Sequence, residues 1–267
     1  MKRIALIAGK GKLPFIFAGC ARKNGERVIG IAINGITSPE LESYVDKIYW
    51  GDITNPSKVL EIFRQENINF VAMTGKIPKA IIFNRDLNLD KDASEIFKNT
   101  VDSKDYSIIK AIALRFKKEG ISVMDPTVYF SELLPKKGLL TERSPTKEQW
   151  QDIRFGYRAA KKIAGMDIGQ AVAVKKKMIL AVEAIEGTDD MIKRTGRLDT
   201  KGAVIVKVSR PHQDMRFDIP TVGPETIDSL IEAKAAVLAI EARKTLVVDK
   251  DEITRKANTA GIAVVVI

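Results

Sequence analysis

Between residues 181 and 226 the chain reads AVEAIEGTDDMIKRTGRLDTKGAVIVKVSRPHQDMRFDIPTVGPET. Glu183, Glu186, Asp189, Asp190, Asp214, Asp218 and Glu225 supply carboxylates, and Lys193, Arg194, Lys207, Arg210 and Arg216 supply cations. Such interleaving suits a metal-assisted reaction on phosphate, because carboxylate oxygens hold a hard cation while fixed positive charge neutralises phosphoryl oxygens. Local structure competes for some of these groups. Thr188 can cap a helix that starts at Gly187-Thr188-Asp189-Asp190, and the two aspartates suit the positive end of its dipole. Glu183 and Glu186 lie at a strand end, outside any helix that would use them. An extended Pro211–Pro220 would put Asp214, Arg216 and Asp218 on one face and turn Met215 and Phe217 to the core.

Composition narrows the chemistry. One histidine, His212, excludes His-rich zinc and di-metal sites, and one cysteine, Cys20, excludes a disulfide framework and a Cys-rich zinc site. Catalysis therefore rests on carboxylates and a hard cation. The net charge of +10 favours anionic partners. With 6% aromatic residues no base-stacking surface is advertised, and the lysines are scattered in short groups that read as solvated helix faces, so nucleic acid is not an expected partner. No stretch approaches the ~20 apolar residues of a membrane span. The opening MKRIALIAGKGKLP reads as a first strand, not an export signal, because its apolar run ends at Gly9 and a lysine follows.

The elements that must position these residues alternate. Strands are expected at 3–8, 28–33, 47–50, 69–73 and 121–124, with helices from Phe15 to about Gly25, from Asn55 through Gln65 and over 104–118. This alternation predicts an α/β fold whose first part is a Rossmann-like parallel-sheet domain, with ligands at the carboxyl ends of its strands. Those ends are Gly9–Pro14 and Thr74–Lys79. Gly9 and Gly11 would let backbone amides approach a phosphate, with Lys76 and Lys79 adding charge. The dinucleotide fingerprint is incomplete: Pro14 takes the last glycine's place, and no acid follows the second strand at Ala32-Ile33-Asn34. A tight strand-to-helix turn is the structural alternative. Residues 134–147 break the alternation and mark a joint, giving domains at 1–134 and 135–267. The second is a mixed α/β domain carrying the carboxylate site, with a helix over 149–164, a hairpin at 170–174 and 178–184, strands at 203–208, 244–248 and 262–267, and helices at 188–196, 225–242 and 251–260.

The segments GKGKLP (9–14), TGKIPK (74–79), DIGQAVAV (167–174), VEAIEGTDDMIKR (182–194) and QDMRFDIPTVG (213–223), in this order and spacing, resemble the LpxI-type UDP-2,3-diacylglucosamine pyrophosphatases of lipid A biosynthesis nearly end to end. The resemblance implies a two-domain cytoplasmic enzyme that hydrolyses the diphosphate of a lipid-linked UDP-sugar with Mg2+ or another divalent cation. Its products would be UMP and 2,3-diacylglucosamine 1-phosphate, and the acyl chains would lie between the domains. The catalytic aspartate maps to Asp218. We expect Asp218, Asp189 and Glu183 as metal ligands. Thr188, Arg194, Lys207, Gln213 and Arg216 are expected on the phosphates, with Gly9, Gly11, Leu13, Pro14, Gly75 and Lys76 on nucleotide or sugar phosphate. Arg210 and His212 depart from the family's commoner KPxQ pattern, so the resemblance assigns His212 no role, and a substrate contact and an ordinary loop histidine both stay open. The basic balance suits peripheral attachment to the anionic inner-membrane surface, and a homodimer is one assembly the reading allows. The alternative from another class is a non-catalytic sensor of a nucleotide sugar or lipid.

Overall fold

The computed structural model describes residues 1–52, 55–77, 105–198 and 201–267. Lys79 lies outside them. The chain forms two compact units: Met1–Ser131 with Met215–Asp218, and Glu132–Asp214 with Ile219–Ile267.

In the first unit the strands β1 (Arg3–Ala8), β2 (Arg27–Ile33), β3 (Lys47–Gly51), β4 (Phe70–Thr74) and β5 (Ser122–Val123) form one sheet in the order β3-β2-β1-β4-β5. Every pairing is parallel, and β1 and β2 are nearly continuous buried apolar runs, as strands covered on both faces must be. The helices α1 (Leu13–Lys23), α2 (Pro56–Gln65) and α3 (Asp105–Lys118) connect and cover it. Asn55 caps α2 by accepting the Lys58 amide, with Pro56 in the first turn. Phe63 and Phe116, from α2 and α3, pack with Ala5, Ile29, Ile31 and Val71. Chain order reverses at β1, where β2 lies on one side and β4 on the other. This is the switch point at which open α/β sheets bind ligands.

The second unit is a mixed sheet ordered β6-β13-β11-β9-β7-β8. Its strands are β6 (Gly138–Leu139), β7 (Ala171–Lys175), β8 (Met178–Val182), β9 (Val204–Lys207), β11 (Val237–Ile240) and β13 (Ala263–Val266). The last three are mutually parallel, while β7 and β8 form the expected antiparallel hairpin. A short parallel pair, β10 (Thr221–Val222) with β12 (Leu246–Val247), stands apart. The helices are α4 (Lys147–Gly165), α5 (Thr188–Gly196), α6 (Pro224–Glu232) and α7 (Lys250–Thr259). Period-two alternation sorts the core. Ile205, Leu238, Ile240 and Val264 face Met191, Ile192, Leu230 and Ile253 of α5, α6 and α7. Val204, Val206, Val237 and Val265 face Ile153, Ala160 and Ala164 of α4.

Three expectations are corrected. The helix foreseen over 225–242 ends at Glu232, Lys234 turns the chain with a φ of 51°, and Val237–Ile240 is a central strand. A short apolar run between helix formers carries no period of its own, and parallel partners on both sides decide its state. The stretch Pro211–Pro220 is not extended: turns occupy 211–212 and 215–216, and Asp218 has a φ of 43°. Thr188 is the first helical residue, not the cap, which is Gly187 without a side-chain bond.

Candidate functional site

In the second unit the carboxyl end of β9 delivers Lys207, 8% exposed, to the start of α5. Its ammonium donates to Thr188 Oγ1 at 2.9 Å and to the Thr221 carbonyl at 2.7 Å. Thr188 Oγ1 donates in turn to Glu183 Oε1 at 2.8 Å, and Glu183 Oε2 accepts the Gln170 amide at 2.9 Å. The last contact depends on a glycine. A Cβ at Gly169 would lie 2.0 Å from the Glu183 carbonyl oxygen, so only glycine lets this turn pass beside the strand end. Sequence reading thus named Glu183, Thr188 and Lys207 together, but not the Gly169-Gln170 turn that orients them. The signal for that turn was the DIGQ segment.

Charge makes this cluster distinctive. Among the described residues Lys207 has hydrogen-bond acceptors but no carboxylate within ion-pair distance. It also lies at the N-terminus of α5, where helix amides and dipole add positive potential. Both features favour an anion, as a buried cation without a counter-charge is costly to keep. Next to Thr188, Asp189 Oδ1 is buried with no hydrogen-bond partner among the described residues. A buried carboxylate oxygen left without a donor calls for a cation or an outside donor.

The outer side of α5 is different. Arg194 Nη2 donates to the Val182 carbonyl at 2.9 Å and to Glu186 Oε1 at 2.7 Å. Partial burial is the largest influence on the Glu186 carboxyl and pushes it up, but the Arg194 hydrogen bond and charge together with backbone hydrogen bonds outweigh it and leave the group below its ordinary range. These residues line an open groove of about 500 Å³ with Ala184, Asp190, Lys193 and Arg197.

The loop after β9 is tied at its root. Glu241, following β11, accepts the Ser209 amide at 2.9 Å, Ser209 Oγ at 2.8 Å and Lys161 Nζ at 2.6 Å. Arg210 pairs with Asp167 at 2.7 Å, and Gln213 Oε1 accepts the Arg210 amide at 3.3 Å. Gln213 therefore shapes its own loop. The Lys161–Ser209–Glu241 anchor has no local signature in the chain, because its parts lie 32 to 80 residues apart. Farther on, Arg216 and Asp218 are exposed, and the Arg216 guanidinium lies 4.9 Å from the Phe217 ring centre over a buried side chain. Aspartate is among the few residues that accept positive φ, so this backbone suits Asp218.

In the first unit Gly9 and Gly75 do meet. The Gly9 amide donates to the Thr74 carbonyl at 2.8 Å, and Lys10 and Lys76 exchange amide bonds at 2.9 Å. A Cβ on Gly9 would stand 2.8 Å from the Gly75 carbonyl carbon, and one on Gly75 would meet Gly9 equally closely. Close backbone approach therefore accounts for both glycines. Gly11 has a φ of 102°, and Leu13 and Pro14 open α1, whose N-terminus has no side-chain cap and no acid in its first turn. Thr74 Oγ1, at the switch point, is buried without a hydrogen-bond partner among the described residues.

Mg2+ binding can be tested on the donors. Among the described residues no three of His, Cys, Asp and Glu gather as a metal cluster. Glu183 spends both oxygens on Thr188 and Gln170. Asp189 keeps one oxygen unspent. Mg2+ commonly takes one or two carboxylates with waters and substrate phosphates completing its shell, so Asp189 fits that donor set and Glu183 fits a positioning role.

Fold and cluster together define a two-unit α/β protein with an anion-seeking polar site at a helix start. The chain belongs to the LpxI family: the LpxI N-terminal domain matches residues 3–133 and the LpxI C-terminal domain residues 136–265. It is 28% identical over 275 aligned residues to the UDP-2,3-diacylglucosamine pyrophosphatase LpxI of Caulobacter vibrioides, covering 99% of this chain and 97% of that protein. Among solved structures, UDP-glucose 4-epimerase from Bifidobacterium longum with NAD+ and UDP aligns at a TM-score of 0.30 and 18% identity, over 54% of this chain and 42% of that one. The biotin carboxylase domain of Hydrogenobacter thermophilus 2-oxoglutarate carboxylase aligns at 0.30 and 11%, over 73% and 40%. Likenesses this distant carry no argument.

Proposed function

We propose that the chain is a hydrolase that cleaves the diphosphate of UDP-2,3-diacylglucosamine to UMP and 2,3-diacylglucosamine 1-phosphate, with a divalent cation, Mg2+ first. Family membership supports the reaction class. The observation that carries the site is the buried Lys207–Thr188–Glu183 chain beside the unpartnered Asp189 oxygen.

In this reading Lys207 and the first amides of α5 hold phosphoryl oxygens, and Thr188, oriented by Glu183, adds a hydrogen-bonding hydroxyl. Arg194 and Arg216 supply further positive charge. Asp218 takes the proton of the attacking water as its oxygen bonds to phosphorus and the bridging oxygen leaves. Asp189 and Asp218 would hold the cation, which supplies charge neutralisation at the diphosphate. The Gly11–Pro14 turn at the start of α1 serves the nucleotide side through backbone amides, those of Gly9, Lys10 and Lys76 being spent on the contact between the two turns. Because the substrate is diacylated, the enzyme works at the cytoplasmic face of the inner membrane as a peripheral protein.

UMP release from UDP-2,3-diacylglucosamine, measured with and without Mg2+, tests this directly. Mg2+-dependent release that chelation abolishes is expected. Absence of release under both conditions leaves only the binding-protein reading, and full release after chelation removes the cation from the mechanism.

A further inference from the structure

The β7–β8 hairpin is closed by two residues, Lys176 and Lys177, between the cross-strand pair Lys175 and Met178. Both turn lysines have positive φ, 50° and 58°. Two successive positive φ values mark a type I′ turn, which Asn-Gly or Gly-Gly fills without strain and a lysine pair does not. The fold holds this turn in place from below. Asp152, a carboxylate of α4 that is 6% exposed, accepts the Lys176 amide at 2.9 Å and the Lys177 amide at 2.7 Å. Its two oxygens are thereby spent on backbone, and among the described residues no carboxylate pairs with the lysines at the tip. Lys175 Nζ donates to the Lys201 carbonyl, which brings a fourth lysine to the same end. Met178 is 66% exposed beside them.

We propose that this tip is the docking surface for an anionic bilayer, with the lysines meeting lipid phosphates and Met178 entering the interface. The inference rests on the diacylated-substrate reading only for its biological purpose, since the surface itself is read from charge, strain and exposure. A strained turn kept by a buried carboxylate is where retained side chains have work to do. Exposed methionine beside lysine fits a surface that is anionic outside and apolar beneath. It fits nucleic acid poorly, because none of the residues of the tip, Lys175 to Met178 with Lys201, offers a ring for a base. Lysines in the turn that leads into the edge strand β8 can also discourage strand pairing, and that role predicts aggregation when they are removed, not loss of lipid binding.

The test uses the full chain with phosphatidylglycerol/phosphatidylcholine vesicles and with phosphatidylcholine alone, read by co-sedimentation. The wild-type chain is expected to bind anionic vesicles, to release them as salt rises, and to ignore neutral ones. Lys176→Asn/Lys177→Gly relieves the backbone and removes two charges. It should raise the melting temperature while weakening vesicle binding about 30-fold, at roughly fivefold per lysine. Lys176→Gln/Lys177→Gln should weaken binding as much without that rise, and Met178→Ser should weaken it by a smaller factor. UMP release from detergent-dispersed substrate should be unchanged in all three. Wild-type affinity for anionic vesicles in both lysine variants would overturn the inference, as would a lysine-dependent binding confined to RNA. If vesicles bind as expected but no diphosphate is cleaved, the docking surface stands and the enzymatic reading falls. If cleavage proceeds and vesicles are ignored, the reverse holds.

Discussion

The two units finish their parallel strands in opposite ways. In the first, β1 and β4 end in Gly9 and Gly75, whose backbones press together so closely that neither position admits a Cβ. In the second, β9 ends in Lys207 and β11 runs into Glu241, residues that are 8% and 7% exposed and satisfied by polar contacts. One sheet end is closed by bare backbone and the other is filled with charge. Glycine-rich strand ends are thus no guide to where chemistry sits, because here they mark close approach. Lys207, a buried cation with no carboxylate at ion-pair distance among the described residues, and the unpartnered Asp189 Oδ1 at the start of the same helix are the better guide.

Asp218 gives this contrast its hardest test. It follows the second unit's loop in sequence, yet Met215–Asp218 belongs with the first unit. Asp218→Asn keeps a residue tolerant of positive φ while removing the charge, so the backbone at a φ of 43° should survive. Turnover should fall about 10²–10⁴-fold with the melting temperature unchanged. Near-normal turnover would return the catalytic role to Asp189 and the second unit alone.

Gly9→Ala attacks the backbone-filled end. A Cβ 2.8 Å from two backbone atoms cannot be relieved by a side-chain rotation. The substitution should therefore cost about 3 kcal/mol in chemical denaturation. If stability holds and only UMP release falls, Gly9 serves a ligand and the contrast between the two ends fails.

Lys207→Met attacks the charged end with the opposite expected pattern. Removing a buried cation that lacks a counter-charge should leave stability within about 1 kcal/mol of the wild type, with two lost hydrogen bonds offset by the lost desolvation cost. Activity should nevertheless fall about 100-fold in kcat/KM. A large loss of stability with little loss of activity would make Lys207 structural.

Periodic stretches were readable in the chain: the alternation that builds the first sheet, the hairpin at Ala171–Val182 and the helix α4. The residues of the Glu183–Thr188–Lys207 chain were named, since strand ends next to a helix start place polar groups together. What escaped reading was set by partners. Val237–Ile240 is a strand because β9 and β13 flank it, and its own four residues favour neither state. Thr188 lost its capping role because Lys207 and Glu183 compete for its hydroxyl. Asp189 and Asp190 look alike in sequence, and only burial shows that Asp189 carries the orphaned oxygen.

Among the carboxylates held below their ordinary range, Glu66 of the first unit and Glu241 of the second extend the comparison to pH. Glu66 lies below its ordinary range because Lys47 and Tyr49 donate to it, with burial opposing. For Glu241 burial is the largest influence and pushes upward, yet Lys161 and Ser209 together outweigh it and the net direction is again downward. A carboxyl depressed in the folded state contributes stability that is fully present above its unfolded value, near 4.5, and is lost as pH falls through the folded value. Melting temperatures followed from neutral pH down through that range should therefore drop, and Glu66→Gln and Glu241→Gln should each flatten the drop. Salt separates the two. Lys47 is 45% exposed and Lys161 19%, so high salt should shrink the Glu66 contribution more than that of Glu241. An acid limb unchanged by Glu241→Gln would mean that the Ser209 root is held by packing, and the charged strand end would then matter for catalysis alone.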